Sequence, residues 1–217
     1  MGFWNKGKTE ATPVTPTPAS APVTTAPSSG GISLTKGNSI SLAKTDSATI
    51  IAENGWAAPN KDYDLMALVR YRNGKIYYVG ASDPKVEVLA TPDGAVKHSG
   101  DVKRAGELER ITIEWHPDIA SVALSSYSAM GNGTGSFLEY GVFARIINGD
   151  QVVGIEAADT SADELSYTLC FGEVHFEPDK TFRVTNLEMY SKRKSEKRMK
   201  YEGSRVVMDG GPEGKKK

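Results

Sequence analysis

Two aspartates flank Tyr63 in the stretch K-D-Y-D-L-M-A-L-V-R-Y-R-N-G-K, residues 61–75. Successive side chains of a β-strand point to opposite faces, so we expect Asp62 and Asp64 to share one face. The opposite face is then entirely apolar and consists of Tyr63, Leu65, Ala67, Val69 and Tyr71. Two carboxylates on one face repel each other, and a cation, a basic side chain or water must compensate them.

A third acid, Asp101, follows a glycine in H-S-G-D, which we expect to be a loop, and Glu107 and Glu109 come soon after it. Calcium takes six to eight oxygen ligands, which loop carboxylates and backbone carbonyls supply. Asp62, Asp64 and Asp101 form one calcium site if the strand end and this loop meet. The alternative is a solvated acidic face that holds no ion.

Other chemistry-bearing patterns are sparse. His98, His116 and His175 lie in separate segments without the spacing of a zinc site. The single cysteine, Cys170, excludes an intramolecular disulfide, and its alternating apolar neighbours predict a buried thiol. The loop G-N-G-T-G-S, residues 131–136, lacks the Lys-Ser/Thr of a phosphate-binding loop. No nucleophile–base pair is recognisable, so we do not expect an enzyme.

Composition divides the 217-residue chain into three parts. Residues 1–30 combine a head containing Phe3 and Trp4 with a linker that holds five of the eleven prolines, which predicts a flexible tether. Residues 31–190 form the expected folded body, with a net charge of −8. Residues 191–217 are a basic tail in which ten Lys/Arg outnumber four Asp/Glu. We expect residues 191–201 to form a short helix or none, and the final residues 209–217 to be loose.

The sequence pattern of the body predicts short strands separated by turns. Asn73-Gly74 and Asn148-Gly149 each lie between alternating segments, which is a strong hairpin signal. A further turn is expected at Pro92-Asp93-Gly94. About ten strands with little helical periodicity predict a single all-β domain, a β-sandwich or a barrel.

Six short motifs in the body resemble, in the same order, those of the TerD family of bacterial tellurium-resistance and stress-response proteins. The resemblance covers about residues 31–182. The motifs are I-S-L-T-K-G-N-S-I-S-L, similar to the family's opening hairpin, A-E-N-G-W, D-Y-D-L-M-A, T-P-D-G with V-K-H-S-G-D, V-F-A-R-I-I-N-G-D, and L-C-F-G-E-V with D-K-T-F-R-V.

The resemblance implies a calcium-binding two-sheet β-sandwich that acts in a stress response and has no established catalytic activity. Asp62 and Asp64 match the first two acids of the family's calcium motif, and Asp101 matches the acid of its G-D-N loop. The implied location is cytoplasmic, or peripheral at the inner face of the membrane.

This chain departs from the family pattern around the same acids. Met66 replaces a third acid, Val102 replaces the asparagine after Asp101, and Gly141 stands where a polar asparagine is common. Lys103 and Arg104 stand where further carboxylates would gather. Fewer ligands lower calcium affinity, so both an occupied site and a metal-free site neutralised by Lys103 or Arg104 stay open.

The expected function is a binding or scaffold role in stress response, with calcium as the cofactor. Expected partners are other stress-response proteins, a second copy of the chain, or an anionic membrane or nucleic acid attracted by the basic tail. The alternative is a metal-free interaction module that keeps the fold and binds through its termini. No small-molecule substrate is evident, and the tail alternatively serves only solubility.

Overall fold

The computed structural model describes Met1 and residues 31–80, 88–102, 106–129, 132–133, 136–158 and 165–213. The head and linker, residues 2–30, lie outside the described residues, as do Lys103 and Arg104. Among the described residues no helix is long and apolar enough to cross a membrane. The strands are β1 (Ile32–Ser33), β2 (Ser39–Ser41), β3 (Thr49–Gly55), β4 (Tyr63–Tyr71), β5 (Ile76–Gly80), β6 (Val96–His98), β7 (Glu109–Glu114), β8 (Ile119–Ser128), β9 (Phe143–Asn148), β10 (Gln151–Glu156), β11 (Thr168–Phe176), β12 (Phe182–Tyr190), β13 (Lys200–Glu202) and β14 (Arg205–Val207).

Two six-stranded sheets pack face to face, which confirms the all-β, two-sheet sandwich. The first sheet has the order β1-β10-β9-β3-β7-β6, and the second has the order β2-β12-β11-β8-β4-β5. Strand β4 of the second sheet contacts β3 and β7 of the first. The five apolar residues expected on one face of β4 all lie in the shared core, together with Ile50, Ala52, Ile111 and Ile113 from the first sheet.

The turn predictions hold where glycine is required. Strands β4 and β5 are antiparallel and joined through Asn73-Gly74, and β9 and β10 are joined through Asn148-Gly149. Gly74 and Gly149 adopt φ values of 86° and 58°, which residues with a side chain rarely tolerate. The turn at Pro92-Asp93-Gly94 is closed by a hydrogen bond from Gly94 N to Thr91 O.

The opening segment is not a hairpin, so the expectation drawn from the family's opening hairpin is wrong. Strand β1 pairs in parallel with β10 of the first sheet, while β2 pairs antiparallel with β12 of the second. The turn between them carries the chain across the sandwich edge. Asn186 of β12 holds this crossing, because its side-chain amide donates to Leu34 O and its backbone carbonyl accepts from Gly37 N.

The basic C-terminal segment forms two strands in place of a short helix, and residues 209–213, expected to be loose, are tied to it by a hydrogen bond from Arg198 N to Pro212 O. The rest of the end expected to be loose, residues 214–217, lies outside the described residues. Strands β13 and β14 pair as an antiparallel hairpin. Buried apolar residues of this segment form a second cluster on the outer face of the second sheet: Met199, Tyr201 and Val206 against Leu68, Ala123 and Cys170. Because that outer face is apolar at its centre, it needs a cover, and the hairpin supplies one.

Cys170 is fully buried under this hairpin, as its sequence pattern predicts. Its neighbours Leu169 and Phe171 point into the inter-sheet core instead. Burial raises the pKa of the Cys170 thiol far above its usual range, and the charge of Glu173 adds to that effect. A thiol held protonated and shielded is a poor nucleophile, so its role is packing.

Candidate metal centre

The structure brings the three predicted ligand residues together. One carboxylate oxygen from each of Asp62, Asp64 and Asp101 lies within 4.8 Å of the other two. Asp64 is buried, Asp62 is half-buried and Asp101 is exposed, so the group opens to solvent on one side. Such a group of three carboxylates can hold a metal ion, and no other group of this kind occurs among the described residues.

Tyr63 aims its two flanking aspartates outward. Its ring is buried between Trp56 and Phe137, with centroid separations of 5.8 Å and 5.5 Å. The backbone on both sides is fixed as well, because Trp56 Nε1 donates to Lys61 O at 2.8 Å and Asn54 Nδ2 donates to Tyr63 O at 2.9 Å. With Tyr63 locked inward, strand alternation places both neighbouring carboxylates on the other face.

Asn132 braces the first aspartate from the loop that follows β8. Its side-chain oxygen accepts a hydrogen bond from Asp62 N at 2.9 Å, and its side-chain NH₂ donates to Asp62 O. Ala129 N also donates to Asp62 O, at 3.1 Å. Sequence reasoning treated the G-N-G-T-G-S stretch only as a loop, so this positioning role of Asn132 was missed.

Glu109 ties the loop of Asp101 to strand β4. Its side chain is fully buried, and it accepts from Val102 N at 3.0 Å and from Leu65 N at 2.5 Å. Those two amides belong to the residues that directly follow Asp101 and Asp64. A single carboxylate therefore fixes the separation of two predicted ligands.

His98 completes this brace. Its Nδ1 accepts a hydrogen bond from Gly100 N at 2.9 Å, which places the proton of the neutral ring on Nε2. Nε2 lies 3.5 Å from Glu109 Oε2, and both side chains are fully buried. His98 thus shapes the H-S-G-D loop, and the structure gives it no place in the metal cluster.

A sequence signal for Glu109 existed. In E-R-I-T-I-E it shares the inward face of β7 with Ile111 and Ile113, and all three are fully buried. A carboxylate on the core face of a strand is costly unless it is hydrogen-bonded. That position should therefore have marked Glu109 as a structural acid rather than another member of an acidic surface.

A tyrosine and a methionine lie next to Asp64 on β8 and β4. Tyr127 faces Asp64 across the β4–β8 pair, and burial raises the pKa of Tyr127 to about 12, with the charges of Glu196 and Asp64 contributing. The side chain of Met66, which the family resemblance aligns with a third acid, is buried and offers no oxygen. The expected neutralisation by Lys103 or Arg104 falls on residues outside the described ranges.

Comparison with known proteins adds no relative. No family model, no curated protein sequence and no solved structure matches this chain.

Proposed function

We propose that this protein is a calcium-binding, non-enzymatic TerD-like protein with a binding or scaffold role in stress response. The observation that carries the proposal is the convergence of Asp62, Asp64 and Asp101 within 4.8 Å. Residues distant in the chain meet at the three positions that the family resemblance singles out. Three carboxylates supply up to six oxygens if each is bidentate, and water or backbone carbonyls complete a calcium shell.

The brace around the cluster supports a site prepared for an ion. Glu109 accepts hydrogen bonds from the amides that follow Asp64 and Asp101, at 2.5 Å and 3.0 Å. Asn132 accepts from Asp62 N at 2.9 Å and also donates to Asp62 O. Three carboxylates held this close repel one another, and a bound cation offsets that repulsion.

Calcium titration of the full chain tests this function. Calorimetry should show saturable binding, and free calcium a hundredfold above Kd should stabilise the fold by about 2.7 kcal/mol and raise Tm. Magnesium at equal ionic strength serves as the comparison, because it screens an acidic surface equally well but prefers a tighter, octahedral site.

Asp64→Asn should abolish the calcium-dependent rise in Tm, because it removes one ligand charge while keeping the shape. The matched control is Asp46→Asn, which removes the same charge from an exposed position outside the cluster. The calcium response of the control should equal that of the parent protein. Absence of both heat and thermal shift at millimolar calcium would reject the calcium-binding function.

The second candidate is a metal-free interaction module, which the buried Met66 favours because it leaves the cluster one acid short of the family motif. This module would bind a partner protein, an anionic membrane or nucleic acid through its termini. Replacing exposed Lys192, Arg193 and Lys194 with glutamine should then weaken co-sedimentation with anionic vesicles or binding to DNA. Equal binding by this variant and the parent would leave the segment with a structural role only.

A further inference from the structure

A basic depression lies at the opposite end of β4 from the aspartates. Arg70 shares the outer face of β4 with Asp64, six residues further along, which corresponds to about 20 Å of strand. There, Arg70, Arg72, Arg183 and His175 line a depression of about 380 Å³. We call these four residues the arginine cup. Ligand pockets commonly have volumes from roughly 300 Å³ upward, so a small group fits.

Positive charge is concentrated in the cup although the body is acidic. Its lining holds three guanidinium groups and one carboxylate, that of Glu177, a formal excess of +2 with His175 neutral. The body as a whole, residues 31–190, carries a net charge of −8. Three arginines from β4, its turn and β12 therefore meet where the average composition predicts negative potential.

Two of the arginines are held in place without an acidic partner. Arg72 donates from Nε to Pro117 O at 2.8 Å and from Nη2 to Phe176 O at 3.0 Å. Arg70 donates from Nε to Ser121 Oγ at 3.2 Å, and its guanidinium lies 5.2 Å from the centre of the Tyr201 ring. Neither forms an ion pair within the described part of the chain. Side chains fixed in advance lose less entropy when a ligand binds.

The remaining members close the cup on the other side. Arg183 pairs with Glu177 through Nε at 3.0 Å and donates from Nη1 to Thr185 Oγ1 at 3.3 Å. His175 Nε2 lies 3.6 Å from Glu173 Oε2. Each of the three guanidiniums keeps at least one terminal nitrogen that makes no hydrogen bond to the described residues: both Nη atoms of Arg70, Nη1 of Arg72 and Nη2 of Arg183.

We propose that the arginine cup binds a phosphate group. Three guanidinium groups outnumber the carboxylates of Glu177 in the lining and Glu173 beside His175. The tetrahedral oxygens of a phosphate can accept from the Nη1/Nη2 fork of Arg70 and from one terminal nitrogen each of Arg72 and Arg183. A carboxylate offers one charge and one plane, which suits a single arginine. The phosphate group belongs either to a small free phosphate compound or to the headgroup of a membrane lipid. This inference is independent of calcium binding.

Titration of the ¹⁵N-labelled full chain with inorganic pyrophosphate, followed by NMR at constant ionic strength, tests the proposal. Saturable shifts should centre on the amides of His175, Phe176, Glu177 and Arg183. Arg70→Gln should weaken binding at least tenfold. Arg70→Lys keeps the charge but loses the fork, and it should weaken binding to an intermediate degree with the spectrum otherwise unchanged. The control Lys44→Gln removes an equal charge from an exposed position outside both the cup and the C-terminal segment and should change Kd less than twofold.

A vesicle assay distinguishes the two sources of phosphate. Co-sedimentation with phosphatidic acid vesicles but not with phosphatidylcholine vesicles, lost in Arg70→Gln and kept in Lys44→Gln, assigns the cup to a lipid headgroup. Pyrophosphate binding without vesicle binding assigns it to a free phosphate compound. Three results would each overturn the proposal. They are shifts confined to residues outside the cup, equal weakening by the Arg70→Gln variant and the control variant, and no saturable shift at millimolar pyrophosphate.

Discussion

Replacing Glu109 with glutamine should damage both the stability of the fold and the geometry of the aspartate cluster. The carboxylate accepts two backbone hydrogen bonds, and glutamine can accept only one, since its NH₂ must then face either Leu65 N or Val102 N. Losing one charge-assisted hydrogen bond costs about 1.5–3 kcal/mol, and the unsatisfied buried amide adds about 1–3 kcal/mol. We therefore expect Glu109→Gln to lower the free energy of unfolding by about 2.5–6 kcal/mol.

Urea denaturation followed by tryptophan fluorescence measures this loss as a shift in midpoint at constant slope. The matched control is Glu114→Gln at the other end of β7. The Glu114 side chain is 51% exposed and pairs with Lys97 at 3.3 Å, so its loss should cost less than about 1 kcal/mol. Calcium binding should weaken in Glu109→Gln, even where the variant is fully folded, and should be unchanged in Glu114→Gln.

The reasoning on Glu109 would be refuted by a loss below about 1 kcal/mol with an unchanged calcium response. Such a result would mean that water replaces the carboxylate and that the loop reaches β4 without it. A large stability loss with unchanged calcium affinity would refute only the positioning role.

Two further predictions concern Cys170 and His175. A thiol reagent should label Cys170 slowly in the native protein and quickly in denaturant. Deletion of residues 191–217 should speed the labelling of native protein, because Met199, Tyr201 and Val206 cover the thiol. Equally slow labelling of the truncated protein would contradict this cover. Burial lowers the pKa of His175 below its ordinary 6.5, Arg183 and Arg70 lower it further, and Glu173 and Glu177 oppose them. The unfolded chain then binds the proton first, so the free energy of unfolding should fall as pH drops below about 6.5, and urea titrations should show a shallower fall in His175→Gln.

The sequence by itself determined the local geometry of β4. Alternation of polar and apolar residues fixes which side chains share a face, since the pleat of a strand has a period of two. Tyr63 and Leu65 had to point inward once a core existed, and Asp62 and Asp64 had to point outward. Alternation also assigned the burial of Cys170. The turn after β4 followed from Asn73-Gly74, because glycine tolerates the positive φ that the turn requires.

The sequence could not determine which distant segments meet. Asp101 joins the cluster because the loop before β7 is tied to β4 by Glu109, and this depends on how the two sheets are stacked. Strands β1 and β2 look like one hairpin locally but lie in opposite sheets, where β10 and β12 supply partners for their backbone groups.

Tertiary structure alone also decided the outer face of the second sheet. Leu68 and Cys170 form an apolar patch there only when β4 and β11 are placed on either side of β8. The C-terminal hairpin then folds over this patch, although its own composition is basic. Burial of Met199, Tyr201 and Val206 stabilises this arrangement, while the charged residues beside them keep their charged groups in water.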